Sequence, residues 1–394
     1  LFTSHVDHKM GNGLRPASRQ MLTHVNAHTL TAGGRTELTI PFKKSTVFTG
    51  ADFKYETADG NRTRSMLTGP MAGKTFTDTL WQQAQQQRLG VFADWQVRRG
   101  AYAFLFAVRL DAVRASSGIT ASTFSKLYEA NKSEDLNFSI SAGANRRIWK
   151  KWQAGAWIGR GVRSASLTER FINSLPIGVD PYELIGNPQL QAEANNQLDV
   201  QIAFKTDKSQ IEWNGYASVI SNFITAVIRP DLKPRIASAP GVRQFVNLPE
   251  ARLLGFEATW SQQWTPFLKQ QLSAVYTYGI NSKTQTPLPE IAPLDLRWKS
   301  EVLLRGKQAQ PYLLLRHVTA QKRVAPDFGE RTTASFTTVD LGLKWIPLQR
   351  LQISAACNNL FDVAYREHLS RFIRPTLPLN APGRTFVLMV GYQF

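Results

Sequence analysis

Apolar and polar residues alternate with a period of two through many long stretches of this chain. Such a pattern forms β-strands whose two faces meet different surroundings, because successive side chains of a strand point in opposite directions. In the segment 197 to 204 the apolar residues occupy every second position: Leu198, Val200, Ile202 and Phe204. The pattern predicts an all-β fold and excludes a bundle of helices.

The length of the alternating segments separates two kinds of all-β protein. Each segment runs for about 10 to 15 residues, whereas strands of a soluble β-sandwich have about five or six. A strand that crosses a bilayer at a tilt of about 45° needs about 9 to 11 residues. No segment approaches the roughly 18 consecutive apolar residues of a membrane-spanning helix. The sequence therefore predicts a transmembrane antiparallel β-barrel.

The segments predict about 16 strands, joined by connections of two lengths. Short connections alternate with long ones at 58 to 85, 164 to 192, 225 to 245 and 365 to 383. Bacterial barrels have short periplasmic turns and long extracellular loops, so we expect the first strand to run outward and the last to end in the periplasm. The predicted strands are 1–10, 22–40, 46–57, 86–97, 101–114, 134–146, 151–163, 193–204, 209–224, 246–264, 267–280, 293–306, 310–322, 335–346, 350–364 and 384–394.

The formal net charge of +18 first suggests a nucleic acid as partner. The basic residues, however, concentrate partly in connections, such as Lys43-Lys44 and Arg98-Arg99, where a membrane boundary with anionic headgroups would attract them. The aromatic residues lie in alternating strands rather than in a basic groove. We therefore expect no nucleic-acid partner.

The chain has one cysteine, Cys357, so it can build neither a disulfide framework nor a cysteine-based zinc site alone. Cys357 shares its predicted face with Leu351, Ile353 and Ala355, and we expect it to face lipid. The sequence contains no nucleophile elbow, phosphate-binding loop or His-Glu-x-x-His segment. The expectation is a protein that is not an enzyme and carries no cofactor.

Three segments of the chain resemble the TonB-dependent receptors. Asn359-Leu360-Phe361-Asp362, followed by Tyr365, is similar to the "NLFD…Y" near the penultimate strand of that family. Gly159 to Ala165, continuing to Glu169, is similar to "SRGFRAPT…E", and Gly186 to Glu193 is similar to "GNPxLKPE". The final segment, with an apolar residue at every second position up to Phe394, resembles the closing strand of outer-membrane proteins. The motifs occur in the order that the family shows.

The resemblance implies a fold and a set of partners. Receptors of this family have about 22 strands and a plug, so residues 1–394 would form one partial barrel domain, with the plug absent from this chain. Energy would come through the plug from the TonB–ExbB–ExbD complex. The implied location is the outer membrane of a Gram-negative bacterium, among its lipids and lipopolysaccharide.

The N-terminal region points to a particular cargo. His8 and Met10 lie two residues apart and therefore share a strand face. A thioether is a soft donor that suits Cu(I), and an imidazole suits copper in either state, so this pair favours copper over hard cations. The segment Val6 to Asn12 also resembles the "VDHxMDN" of the copper-receptor subfamily, with Gly11 in place of the aspartate. By that resemblance, His8 and Met10 would be the copper ligands of the barrel wall.

Other soft or imidazole donors in this region fit a metal site less well. His24 and His28 would share a face, but four residues of strand separate them by about 13 Å, too far for one ion without a bulge. Met66 and Met71 fall in the predicted loop 58 to 85, where they could pass on a soft ion or anchor the loop.

Three functions remain open from the sequence. The first is TonB-dependent uptake of copper or a copper complex. The second is TonB-dependent uptake of a ferric siderophore or another metal chelate. The third is a 16-stranded diffusion porin, since 16 is itself a porin strand number.

Overall fold

The computed structural model describes residues 1–14, 20–118, 121–173, 181–236, 239–304, 308–370 and 379–393. Sixteen long strands form one antiparallel sheet, and a three-residue strand is added to it. The strands are β1 (Phe2–Gly11), β2 (Met21–Pro41), β3 (Ser45–Met66), β4 (Thr75–Arg99), β5 (Tyr102–Ser117), β6 (Lys132–Trp149), β7 (Trp152–Arg163), β8 (Glu183–Ile185), β9 (Glu193–Lys205), β10 (Ser209–Ile228), β11 (Val242–Thr265), β12 (Leu268–Asn281), β13 (Asp295–Val302), β14 (Ala309–Val318), β15 (Phe336–Leu348), β16 (Leu351–Asn358) and β17 (Thr385–Tyr392).

Each long strand pairs with the next long strand along the chain, from β1 and β2 through to β16 and β17. The short strand β8 pairs in parallel with β11. Within the described residues no ladder joins β1 to β17, so the sheet has two edges. The prediction of an all-β barrel wall with about 16 long strands is confirmed.

The two faces of the sheet differ in character, as the alternation predicts. One cross-strand row on the outer face runs through Val91, Leu110 and Phe138, all of them exposed. On the inner face the Arg109 guanidinium lies 2.7 Å from Asp52 and donates a second set of hydrogen bonds to Asp111. An apolar outer face and a charged inner face are expected for a wall between lipid and water.

The hydrophobic core lies at the end of the sheet where the long loops gather. Small inner-face residues of β3 to β5, Ala58, Ala84 and Ala115, are covered by Phe124 and Phe171 from two loops. These loops carry two short helices, α1 (Ser122–Ser125) and α2 (Leu167–Phe171). Among the described residues, no helix has the length and apolarity needed to cross a membrane.

The alternation of connections is confirmed, but one predicted loop is wrong. Residues 58 to 85 are mostly strand, and the connection between β3 and β4 is only 67 to 74. In this region both faces of the two strands contact water, so apolar and polar residues no longer alternate along the sequence. The backbone pairing between the strands nevertheless continues. Met66 is the last residue of β3, and Met71 lies in the hairpin turn.

Three predicted strand ends are also corrected. The predicted strand 350–364 ends at Asn358, because the family-like segment after it is a turn in which Asn359 has a φ of 50° and Asp362 a φ of 54°. The predicted strands 293–306 and 310–322 end at Val302 and Val318. The terminal aromatic Phe394 lies outside the described residues.

Candidate metal site

The structure places His8 and Met10 on the inner face of the sheet. His8 pairs with Ala27, which pairs with Gly60, and Met10 pairs with Val25, which pairs with Arg62. Directly paired residues of neighbouring strands share a face. The row of Met10 continues to Asp78 on β4, within the polar interior of the wall.

The surroundings of the pair leave its donor atoms available. His8 is exposed and Met10 is partly buried, while their cross-strand partners on β2, Ala27 and Val25, are buried. Within the described part of the chain, no hydrogen bond or ion pair engages the imidazole of His8. By contrast, His5 and His28 are both hydrogen-bonded. An imidazole and a thioether two residues apart can contact one ion from the inner face.

Beside Met10, three arginines converge on one carboxylate. The buried Arg62 donates two hydrogen bonds to Asp78, of 3.0 and 2.9 Å, and Arg64 donates one of 3.1 Å. Arg235, from the loop between β10 and β11, lies 3.8 Å from the same carboxylate. Three guanidinium groups therefore gather at the end of the sheet that carries the long loops, the mouth of the wall.

The family-like segments between β7 and β9 hold each other in place. Arg163 contacts Glu169 on α2 and Glu193 on β9, at 3.0 and 3.2 Å. Ser166 and Glu169 form a capping box at the start of α2. Burial alone would raise the pKa of Glu169, but the hydrogen bonds from Arg163 and Ser166 outweigh burial and hold that pKa below its usual value. These residues fix the loop.

Gly186 is required by the close approach of two loop segments. Its amide donates a 2.7 Å hydrogen bond to the carbonyl of Ile172. A Cβ at this position would lie 2.6 Å from the backbone of Arg170. The fully buried Arg170 in turn donates hydrogen bonds to the carbonyls of Pro188 and Leu190. This motif therefore packs the loop.

The segment after β16 forms a turn built around Asn359. Its side chain accepts a hydrogen bond from the amide of Val363 and donates one to the carbonyl of the same residue, both of 2.9 Å. The carboxylate of Asp362 accepts a hydrogen bond from the amide of Arg384, the residue just before β17. The turn thus positions the last strand of the sheet.

The structure also brings together three residues that sequence reasoning did not group. His5, Asp7 and His28 meet on the outer face of β1 and β2, the face opposite to His8. His24 does not join them, in agreement with its predicted distance from His28. The signal that identifies this group is the pairing of Asp7 with His28. That register is not visible in the sequence of either strand.

Cys357 lies in a row with Leu341 and Phe386 on the outer face. It is partly buried and far along the sheet from β1. The structure therefore does not bring it to the candidate metal ligands.

Comparisons with known proteins agree with this architecture. The sequence matches the family described as "TonB dependent receptor-like, beta-barrel" over residues 3–360. No curated protein sequence matches the chain.

Several solved structures share the fold. A structure titled "Copper transporter OprC" superposes with a TM-score of 0.82 at 22% identity, and the match covers 100% of this chain and 61% of the other. The ferric yersiniabactin uptake receptor FyuA from Yersinia pestis gives a TM-score of 0.70 at 12% identity, with coverage of 100% and 57%. The FrpB iron transporter from Neisseria meningitidis gives 0.59 at 13%, with 100% and 62%.

At these sequence identities the structural likeness shows the fold alone. This chain spans about three fifths of the length of the OprC structure, since it covers 61% of it. The family match covers most of the sequence, and the inner and outer faces, the long loops and the motif contacts all agree with it. The chain belongs to the TonB-dependent receptor family and carries residues of its β-barrel.

Proposed function

We propose that this protein takes up copper, or a copper complex, across the outer membrane of a Gram-negative bacterium. The observation that carries the proposal is the placement of His8 and Met10 side by side on the inner face, with no competing hydrogen bond to His8 in the described residues. A soft thioether next to an imidazole selects copper over hard cations. Copper is here the transported ligand and not a cofactor.

In this proposal the barrel wall supplies two of the metal ligands and a rigid frame. The remaining ligands and the coupling to TonB–ExbB–ExbD belong to a plug, as the family resemblance implies. Lipids and lipopolysaccharide contact the outer face, whose apolar rows suit acyl chains. The proposal draws support from the fold shared with a protein titled as a copper transporter, although that likeness concerns the fold.

A second candidate cargo is an anionic ferric chelate. Arg62, Arg64 and Arg235 lie together around Asp78 at the mouth, and guanidinium groups attract anions and raise their rate of association. Proteins titled as iron-chelate or iron receptors share the fold. The porin alternative is not favoured, because the sequence matches a receptor family over residues 3–360.

A metal titration of the whole chain in detergent micelles tests the proposal. Ag(I), a stable stand-in for Cu(I), is titrated in competition with a chromophoric chelator, and ferric chelates are titrated separately. Met10→Leu and His8→Gln are each expected to weaken Ag(I) binding about tenfold or more, a change of about 1.4 kcal/mol per decade.

The matched control is Met71→Leu, which removes an exposed thioether from the hairpin turn after β3. Its Ag(I) affinity should equal that of the unmodified chain. Equal Ag(I) binding by Met10→Leu and the unmodified chain would contradict the copper proposal. Binding of a ferric chelate that is lost in Arg64→Met would favour the second candidate.

A further inference from the structure

Two imidazoles and one carboxylate converge on the outer face of β1 and β2. The Asp7 carboxylate oxygen lies 2.5 Å from Nδ1 of His28 and 3.0 Å from Nε2 of His5. One donor atom from each of the three residues lies within 4.8 Å of the others. The four ligands of a tetrahedral zinc ion lie about 3.3 Å apart, given metal–ligand bonds of about 2.0 Å. Small side-chain movements would bring these three atoms to that spacing.

The backbone holds the three residues in place without a loop. Asp7 pairs directly with His28, and His5 lies two residues away on the same face of β1. The ladder between β1 and β2 runs without a register shift from Phe2 to Gly11. The arrangement therefore rests on a rigid two-strand ladder, so little backbone ordering is needed on binding.

The donor set has a chemical preference. Imidazole nitrogen and carboxylate oxygen suit Zn²⁺, Cu²⁺ and similar divalent ions, and the group has no sulfur donor that would select Cu(I). Asp59, the partner of His28 on β3, places a second carboxylate in the same cross-strand row. Three ligands leave a coordination position for water, and the extra negative charge next to the site favours a divalent cation over a monovalent one.

The site is separate from the candidate copper ligands. His8 and Met10 point to the inner face, whereas this group lies on the outer face above the apolar stretch that carries Leu30 and Leu38. The side chains of His5, Asp7 and His28 are 61%, 52% and 51% exposed. A divalent cation can reach them from the external solution without entering the barrel.

We infer that His5, Asp7 and His28 form a second metal site, which binds a borderline divalent cation such as Zn²⁺ or Cu²⁺ on the outside of the barrel wall. Binding replaces the contacts that the two imidazoles make with Asp7 by bonds to the ion. The site does not depend on the proposed copper uptake, since it shares no residue with the His8 and Met10 pair.

Isothermal titration of Zn²⁺ into the whole chain in detergent micelles at pH 7.5 tests the inference. The unmodified chain is expected to bind one Zn²⁺ with highest affinity at this site. His28→Gln, His5→Gln and Asp7→Asn should each weaken that binding about tenfold or more, because each removes one of three ligands. Circular dichroism of every variant checks that the sheet is retained.

Two histidines provide matched controls. His24→Gln removes an imidazole from the same face of β2, four residues from His28, and His8→Gln removes one from the inner face. Both variants should keep the Zn²⁺ affinity of the unmodified chain. Unchanged affinity in His28→Gln and His5→Gln, or a loss in His24→Gln or His8→Gln equal to theirs, would overturn the inference. Met10→Leu should weaken Ag(I) binding and leave Zn²⁺ binding unchanged, so the experiments test the two proposed sites separately.

Discussion

The guanidinium of Arg62 on β3 donates two hydrogen bonds to one oxygen of Asp78 on β4, at 3.0 and 2.9 Å, with the arginine side chain fully buried. The pair is a direct cross-strand pair, and its row continues through Val25 to Met10. Removing one partner of a buried ion pair strongly destabilises the fold, because the remaining charge stays buried without its partner. The pair therefore fixes the wall next to the candidate copper ligands.

Removal of Arg62 should destabilise the barrel mouth strongly. Arg62→Met leaves the Asp78 carboxylate buried with fewer donors, and we expect a loss of about 3 kcal/mol or more. Thermal unfolding of the chain in detergent, followed by circular dichroism, measures the effect. Arg114→Met removes a guanidinium of an exposed pair with Glu134, 76% and 72% exposed, and should leave Tm unchanged. Equal Tm values for both variants would contradict the structural role of Arg62.

Gly186 should tolerate no side chain. The Cβ of Gly186→Ala would lie 2.6 Å from the backbone of Arg170, so the loop between β7 and β9 must shift, at a cost of about 1 to 3 kcal/mol. Limited proteolysis should then cleave this loop faster. Gly161→Ala is the matched control, since a Cβ there would meet nothing within 4 Å. Similar cleavage rates in the two variants would argue against the packed arrangement of the motifs.

The Glu330 carboxylate contacts three loops, and we expect the stability of these loops to fall in acid. Glu330 accepts hydrogen bonds from the amides of Ala325 and Glu290 and contacts His368 at 3.1 Å. Burial alone would raise the pKa of Glu330, but these hydrogen bonds, that from His368 first, lower it below its ordinary value of 4.5. A carboxyl group with a lowered pKa in the folded state stabilises the fold above pH 4.5, and this contribution is lost as the pH falls through the lowered value.

Hydrogen exchange of residues 282–294, 319–335 and 359–370, corrected for the intrinsic rate, measures that effect. Protection should be constant from pH 7 to about 5 and should fall below about pH 4.5. Glu330→Gln should show weaker protection at pH 7 and a smaller change with acid. An acid response of the same size in both proteins would show that another group controls these loops.

The alternation of faces predicts opposite responses at neighbouring positions. Val108 lies on the outer face, in a row with Ala93 and Ile140, while Ala107 lies on the inner face opposite Asp94. Val108→Arg places a charge against lipid and should weaken folding into vesicles by about 2 to 4 kcal/mol. Ala107→Arg places the same charge in a polar interior next to Asp94 and should have little effect. Equal losses at both positions would argue against a lipid-facing wall.

The period of two made the spanning parts of the strands predictable, because each spanning residue has lipid on one side and water on the other. The predicted segment 193–204 became β9, Glu193–Lys205, for this reason. Beyond the bilayer both faces are polar, and residues such as Asp59 and Asn61 look like turn residues although they lie in a continuous ladder. The extent of β3 and β4 was therefore not predictable from hydrophobic pattern.

The candidate site was predictable only within one strand. That His8 and Met10 share a face follows from their spacing, whichever partner β1 has. The meeting of Asp7 with His28 depends on the register between β1 and β2, and a slip of one residue would place His28 on the other face relative to Asp7. A long connection joins the two strands and leaves that register open in the sequence, so the outer-face group became visible only in the structure.

X-ray absorption at the copper edge tests the central claim, that Met10 and His8 bind one soft ion together, most directly. The whole chain loaded with one equivalent of Cu(I) should show scattering from both sulfur and imidazole nitrogen, because thioether and imidazole are the donors that the inner face presents. The sulfur contribution should disappear in Met10→Leu and persist in Met71→Leu. A spectrum of Cu(I) with no sulfur scattering, or one that Met10→Leu leaves unchanged, would contradict the account.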